Sequence, residues 1–123
     1  MASYPAGFIV NQVGYTPSSV AVTQQTNRAT GVTIHALSGA ITTHNASLAA
    51  EASAVFTVTN NQVAIGDVIV LSIRSGMVAL NTSVTVTTVA NGSIAITVCN
   101  GNVAAGTAET GSIIINFAVI KGG

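Results

Sequence analysis

Apolar and polar residues alternate with a period of two along most of this chain, and Gly or Asn interrupts the alternation at roughly every eight to twelve residues. That pattern predicts short strands of a sandwich or barrel, and no window carries a convincing helical period. The spacing predicts strands over 20–25, 31–37, 40–44, 53–59, 67–74, 82–89, 94–99 and 111–120. Eight is the number a jelly roll uses. The expected fold is therefore all-β, a jelly-roll-like antiparallel β-sandwich. Residues 45–52 read as a loop crossing between its two sheets.

Alternation also names the core. Ile69, Leu71 and Ile73 share one strand face, and Ile94, Ile96 and Val98 share another. On the last strand Ile113, Ile115, Phe117 and Val119 point one way, whereas Ser112, Asn116 and Ala118 point the other. Phe56 and Phe117 are both expected inside. Ile114 and Ile120 break the polar face of that last strand. A strand apolar on both faces is either covered twice or lies at a subunit contact.

Residues 1–17 differ from the rest. They hold both prolines, Pro5 and Pro17, and three aromatics, Tyr4, Phe8 and Tyr15. Pro and Gly oppose regular pairing, so this segment reads as an extended N-terminal arm, with the sandwich over 18–123. Aromatic rings supply contact area at low entropic cost, which makes the three rings candidate docking anchors. An arm packed on its own domain is the simpler alternative. The first ten residues, MASYPAGFIV, lack the basic and apolar regions of a signal peptide.

Charge changes the picture. Only 5% of the residues are charged and the formal net charge is zero, against about 25% charged residues in an average soluble domain. Thr, Ser, Asn, Gln and Gly must cover the outside, either as a solvated polar surface or as one that faces other subunits. The chain is expected to self-associate as a dimer or trimer. Three isolated cations cannot make the basic stripe that nucleic acid requires. No stretch reaches the ~18 apolar residues of a spanning helix, and aromatics at 4% are too few for the girdles of a membrane barrel.

Candidate chemistry is sparse. No nucleophile elbow, phosphate loop or closely spaced carboxylate pair occurs. Neither a catalytic centre nor a cofactor or metal site is expected. Cys99 is the only cysteine, which precludes an internal disulfide and suits a reducing cytoplasm. A two-residue turn at Ser38-Gly39 would place His35 and His44 diagonally on one face, roughly 7–8 Å apart. With no carboxylate or thiol close in sequence, they read as solvated or interface histidines.

Four segments carry a resemblance: VTQQTNRATGVTI (22–34), ITTHNASLAA (41–50), FTVTNNQVAIGDVIVL (56–71) and INFAVIKGG (115–123). Together they resemble a family of small virion proteins of tailed phages and prophages. Within it, the jelly-roll cement, or decoration, proteins on the heads of short-tailed phages look most similar. The resemblance covers roughly residues 20–123. It implies a capsid protein made in the host bacterial cytoplasm that sits on the outer capsid surface, oligomerises and clamps neighbouring major capsid subunits. Related modules occur in tail fibres, so a fibre or receptor-binding module is the alternative. The residues expected to meet partners are Tyr4, Phe8, Tyr15, Ile114 and Ile120.

Overall fold

The structure, a computed structural model, describes Tyr15 and residues 20–122. Strands occur at β1 (Ala21–Thr23), β2 (Val32–Thr33), β3 (Ser38–Thr42), β4 (Ser53–Thr59), β5 (Val68–Ser75), β6 (Thr82–Ala90), β7 (Ser93–Asn100) and β8 (Ile114–Ile120). Each expected strand is overlapped by one of these eight, and no helix occurs among the described residues. The strands form two four-stranded sheets, ordered β1-β3-β8-β5 and β2-β4-β7-β6. Their inner faces share one apolar core, so the molecule is a β-sandwich.

The sheets are mixed rather than antiparallel. β1 runs parallel to β3, and β2 parallel to β4. The hairpin expected around Ser38-Gly39 does not form, because the segment expected as one strand over 31–37 changes sheets midway. Its first part pairs with β4, extended by the Ile34 N–H donating to the Thr59 carbonyl at 3.0 Å. Its second part leaves: the Leu37 carbonyl accepts from the Val119 N–H at 2.7 Å, on the other sheet. Between them Asn60, buried, mimics a strand neighbour. Its Nδ2 donates to the Ala36 carbonyl at 2.7 Å, and its Oδ1 accepts from the Ala36 N–H at 3.2 Å. Both backbone groups of Ala36, at the crossing, are thereby paired.

The core follows the alternation. Ile113, Ile115 and Val119 are fully buried on one sheet, as are Ile96 and Val98 on the other, and Phe56 and Phe117 are buried with them. Ile69, Leu71 and Ile73 pack against this cluster while staying partly exposed, because β5 is an edge strand. The loop over 45–52 joins β3 to β4 across the two sheets, as its sequence suggested. Leu48 within it exchanges backbone bonds with Glu109.

Candidate interaction surfaces

Six charges are available to this chain, and the fold withdraws three of them from the surface. Glu109 is fully buried. Its Oε1 accepts from Ala79 N–H at 3.0 Å and Thr82 Oγ1–H at 2.8 Å, its Oε2 accepts from Gly111 N–H at 2.9 Å, and the Val78 N–H reaches both oxygens. Burial alone would raise this carboxyl; the bonds from Gly111, Thr82, Val78 and Ala79 outweigh it and hold the group below the ordinary Glu range. Arg28, also buried, donates from Nη1 to Thr43 Oγ1 at 3.2 Å. Its Nη2 donates to the carbonyls of Glu109 at 3.2 Å and Gly111 at 2.9 Å, and its Nε to that of Ala46. Burial lowers the Arg28 pKa, and the nearby Glu109 charge opposes that shift.

Together these two side chains tie four loops at one end of the sandwich: 24–30, 43–48, 76–82 and 109–113. The backbones there cross very closely. Gly76 has φ of +92°, and a Cβ on it would stand 2.0 Å from the Ser112 carbonyl oxygen. A Cβ on Gly111 would stand 1.8 Å from the Gly76 oxygen. Both positions require glycine.

A third charge is anchored at the C-terminal end of β8. Asp67, buried, accepts from Lys121 Nζ at 2.6 Å, from Ala64 N–H at 2.8 Å and from Gly122 N–H at 3.0 Å. The Lys121 hydrogen bond, helped by those of Ala64 and Gly122, lowers its pKa to about 2. Only Glu51 and Arg74 remain as exposed charges outside these contacts. The surface is thus poor in charge as well as neutral in sum.

Of the five residues expected at contacts, Tyr4 and Phe8 lie outside the described residues. Tyr15 is partly exposed, and its hydroxyl donates to the Val119 carbonyl near the end of β8. Ile120, 51% exposed, is the next residue on that strand and sits on its outer face. The fold therefore brings Tyr15 and Ile120 to one end of the sheet. Ile114 stands at the other end, six residues away along β8 or roughly 20 Å, and is half-buried.

Sequence reasoning missed two neighbours. Val68 pairs with Ile120 and Val70 with Ala118, so all four point outward from one sheet. Val68 is 56% and Val70 47% exposed. The run Val68-Ile69-Val70-Leu71, apolar at consecutive positions, was the available signal, the same one that marked Ile114 and Ile120. A second apolar group was also missed. Leu80, 85% exposed, and Val103, 77% exposed, lie on loops joined by the Gly101 N–H donating to the Asn81 carbonyl. Glu109 fixes the first of these loops through Val78 and Ala79.

The histidines are apart in role. His35 Nδ1 accepts from the Asn61 N–H at 3.0 Å, and His44 Nδ1 from the Ala46 N–H at 3.0 Å. The His44 bond closes a local turn, the His35 bond ties residues 26 apart in sequence, and their expected diagonal pairing is lost with the hairpin. Cys99 is half-buried on the outer face of β7, opposite Ser53 and Ser83. No group of three or more His, Cys, Asp or Glu gathers among the described residues. Comparison with protein-family models, with curated proteins and with solved structures finds no match to this chain.

Proposed function

We propose that this chain is a structural virion protein, a cement that binds neighbouring major capsid subunits on the outside of a phage head and stabilises the shell. The observation that carries the reading is the withdrawal of Arg28, Asp67 and Glu109 into interior contacts, which leaves the sandwich faces with Arg74 as their one charge among the described residues and with exposed apolar side chains. A surface of that kind suits permanent burial against other subunits. Contacts made of apolar and backbone groups are not screened by salt as exposed ion pairs are. A protein that binds only the assembled shell stabilises it by mass action, and many copies on one lattice add through effective concentration.

The sandwich is read as a jelly-roll variant. The chain changes sheets at each step from β1 to β6, which supports the reading, while the parallel β1/β3 and β2/β4 pairs are its departure from an antiparallel design. Residues 1–17 are assigned to an arm, with Tyr4, Phe8 and Tyr15 as its anchors and the outer residues Ile114 and Ile120 as part of the docked face. No catalytic step and no cofactor enter this role.

The test is to add the purified protein to phage heads that lack it, then count bound copies and measure heat resistance. Hundreds of copies per head and a raised disruption temperature are expected. Binding to tails alone, in small copy number, would replace this reading with a fibre module.

A further inference from the structure

A β-sandwich of two open sheets has four edges, and each exposed edge is a template for pairing with another chain unless something blunts it. Two edges here are blunted by brevity: β1 spans three residues and β2 two. The third, β6, is broken in its middle by a register shift between Val86 and Thr88, with the Thr87 hydroxyl turned back toward the Ala95 carbonyl. The fourth, β5, is eight residues long, and its irregularity lies only at the far end, between Ile73 and Ser75. Val68 to Ile73 form a regular edge with no proline, no glycine and no charge.

The hydrogen-bond phase of this edge follows from its neighbours. Val119 on β8 directs its N–H at Leu37, away from β5. Alternation then points Asn116, Ala118 and Ile120 toward β5, where they pair with Ser72, Val70 and Val68. The N–H and C=O groups of Ile69, Leu71 and Ile73 consequently point outward, and among the described residues no strand pairs with them.

We infer that the β5 edge is a self-association surface, taken by β5 of a second copy of this chain in antiparallel pairing about a two-fold axis near Val70 and Leu71. A second copy fits because the edge is complementary to itself. A two-fold placed there sets Ile69, Leu71 and Ile73 against their own kind on the inner face, which carries the apolar core across the junction. On the outer face Val70 lies opposite Val70 or Ser72 of the second copy, according to which of the two residues carries the axis, so its exposed flank is covered in either register. Arg74, the one charge on the strand, lands beside Val68 or beyond it and never beside its own copy. The product is a continuous eight-stranded sheet from two protomers, an isologous contact that closes on itself.

The inference deepens the assembly reading and rests on it for the purpose of the surface. Sedimentation of the free protein tests the edge alone, whereas occupancy on heads tests the reading, so either can fail without the other. The variants are Val70→Lys on the outer flank of β5 and, as a control, Val55→Lys, an equally exposed valine on the outer face of β4. Both substituted sites face outward, so the fold is retained, which circular dichroism verifies. The expected result is a wild-type dimer at tens of micromolar, at least tenfold weaker dimerisation for V70K, and no change for V55K. Amide exchange at Ile69, Leu71 and Ile73 is expected to slow as protein concentration rises. A wild-type monomer, equal dimerisation of V70K and wild type, or protection of those amides that does not depend on concentration would overturn the inference. The last outcome would mean that the chain covers its own edge.

Discussion

Replacing Glu109 by Gln keeps the size and shape of a fully buried side chain while removing its charge and one acceptor. The carboxylate has four donors around it: Val78, Ala79, Thr82 and Gly111. In its best orientation the amide oxygen replaces Oε1 and keeps Ala79, Thr82 and the longer contact to Val78. The amide nitrogen then faces the Gly111 N–H, donor against donor. Leaving that buried N–H without an acceptor costs about 1–3 kcal/mol. Each bond that remains loses its charge assistance, and Arg28 loses the nearby negative charge. The sum is about 3–5 kcal/mol, the range found when one member of a buried charged network is removed. For a domain of this length that lowers the melting temperature by roughly 10–20 °C. Urea unfolding of wild type and E109Q at pH 7 measures it. The reasoning carries a second, independent demand. The folded pKa of Glu109 lies below its unfolded value, so its contribution is complete above the unfolded value, near 4.3, and is lost as pH falls through the folded one. The gap between wild type and E109Q must therefore narrow below about pH 4. A gap under about 1 kcal/mol at neutral pH, or one that is as large at pH 3 as at pH 7, refutes the account.

Three further outcomes are expected. Phe117→Ala should cost about 3–5 kcal/mol in chemical denaturation, because a buried ring opposite Gly39 leaves a cavity that the glycine cannot fill; an unchanged midpoint would place the ring outside. The Asp67 carboxyl should titrate near 2 by NMR, and the stability difference between wild type and Asp67→Asn should shrink as pH falls from about 4 toward that value. Deleting residues 1–17 should leave the sandwich folded by circular dichroism and lower the number of copies bound per head; equal occupancy would move the anchor to the sandwich faces.

How much of this was legible depends on which interactions are local. The inward positions of β4, β7 and β8 recur with period two, and these strands neighbour one another or lie at the centre of a sheet, so period and burial agree, and Ile94, Ile96, Val98, Ile113, Ile115, Phe117 and Val119 fall where the pattern placed them. The switch between β2 and β3 was not legible. Alternation runs through Ile34 to Ala40 in the same way whether the chain folds back or crosses over. The choice is fixed by Asn60, 24 residues beyond the Ala36 it clamps. Arg28 and Glu109 gave even less signal, being 81 residues apart in sequence yet joined at one end of the sandwich. A solitary Arg or Glu between polar residues reads as solvated surface, and here each is inside. Val68 and Val70 carry a local signal, the run Val68 to Leu71 that is apolar on both faces.

The buried charges and the bare surface have one physical origin. At the Glu109 end of the sandwich, loops rather than strands meet, and loop backbones present N–H and C=O groups that no ladder satisfies. A carboxylate takes up the N–H groups of residues 78, 79 and 111, and a guanidinium takes up the C=O groups of residues 46, 109 and 111. Apolar residues of the same volume would leave those groups unpaired and the loops loose. Arg28 and Glu109 thus fix loop shape, including the turn at Val78 and Ala79 that precedes the exposed Leu80. A monomer that must stay apart from its neighbours would need charge outside as well. Here, among the described residues, it is absent from both outer sheet faces except at Arg74, a composition that suits the proposed role, in which faces and edges are buried against other subunits.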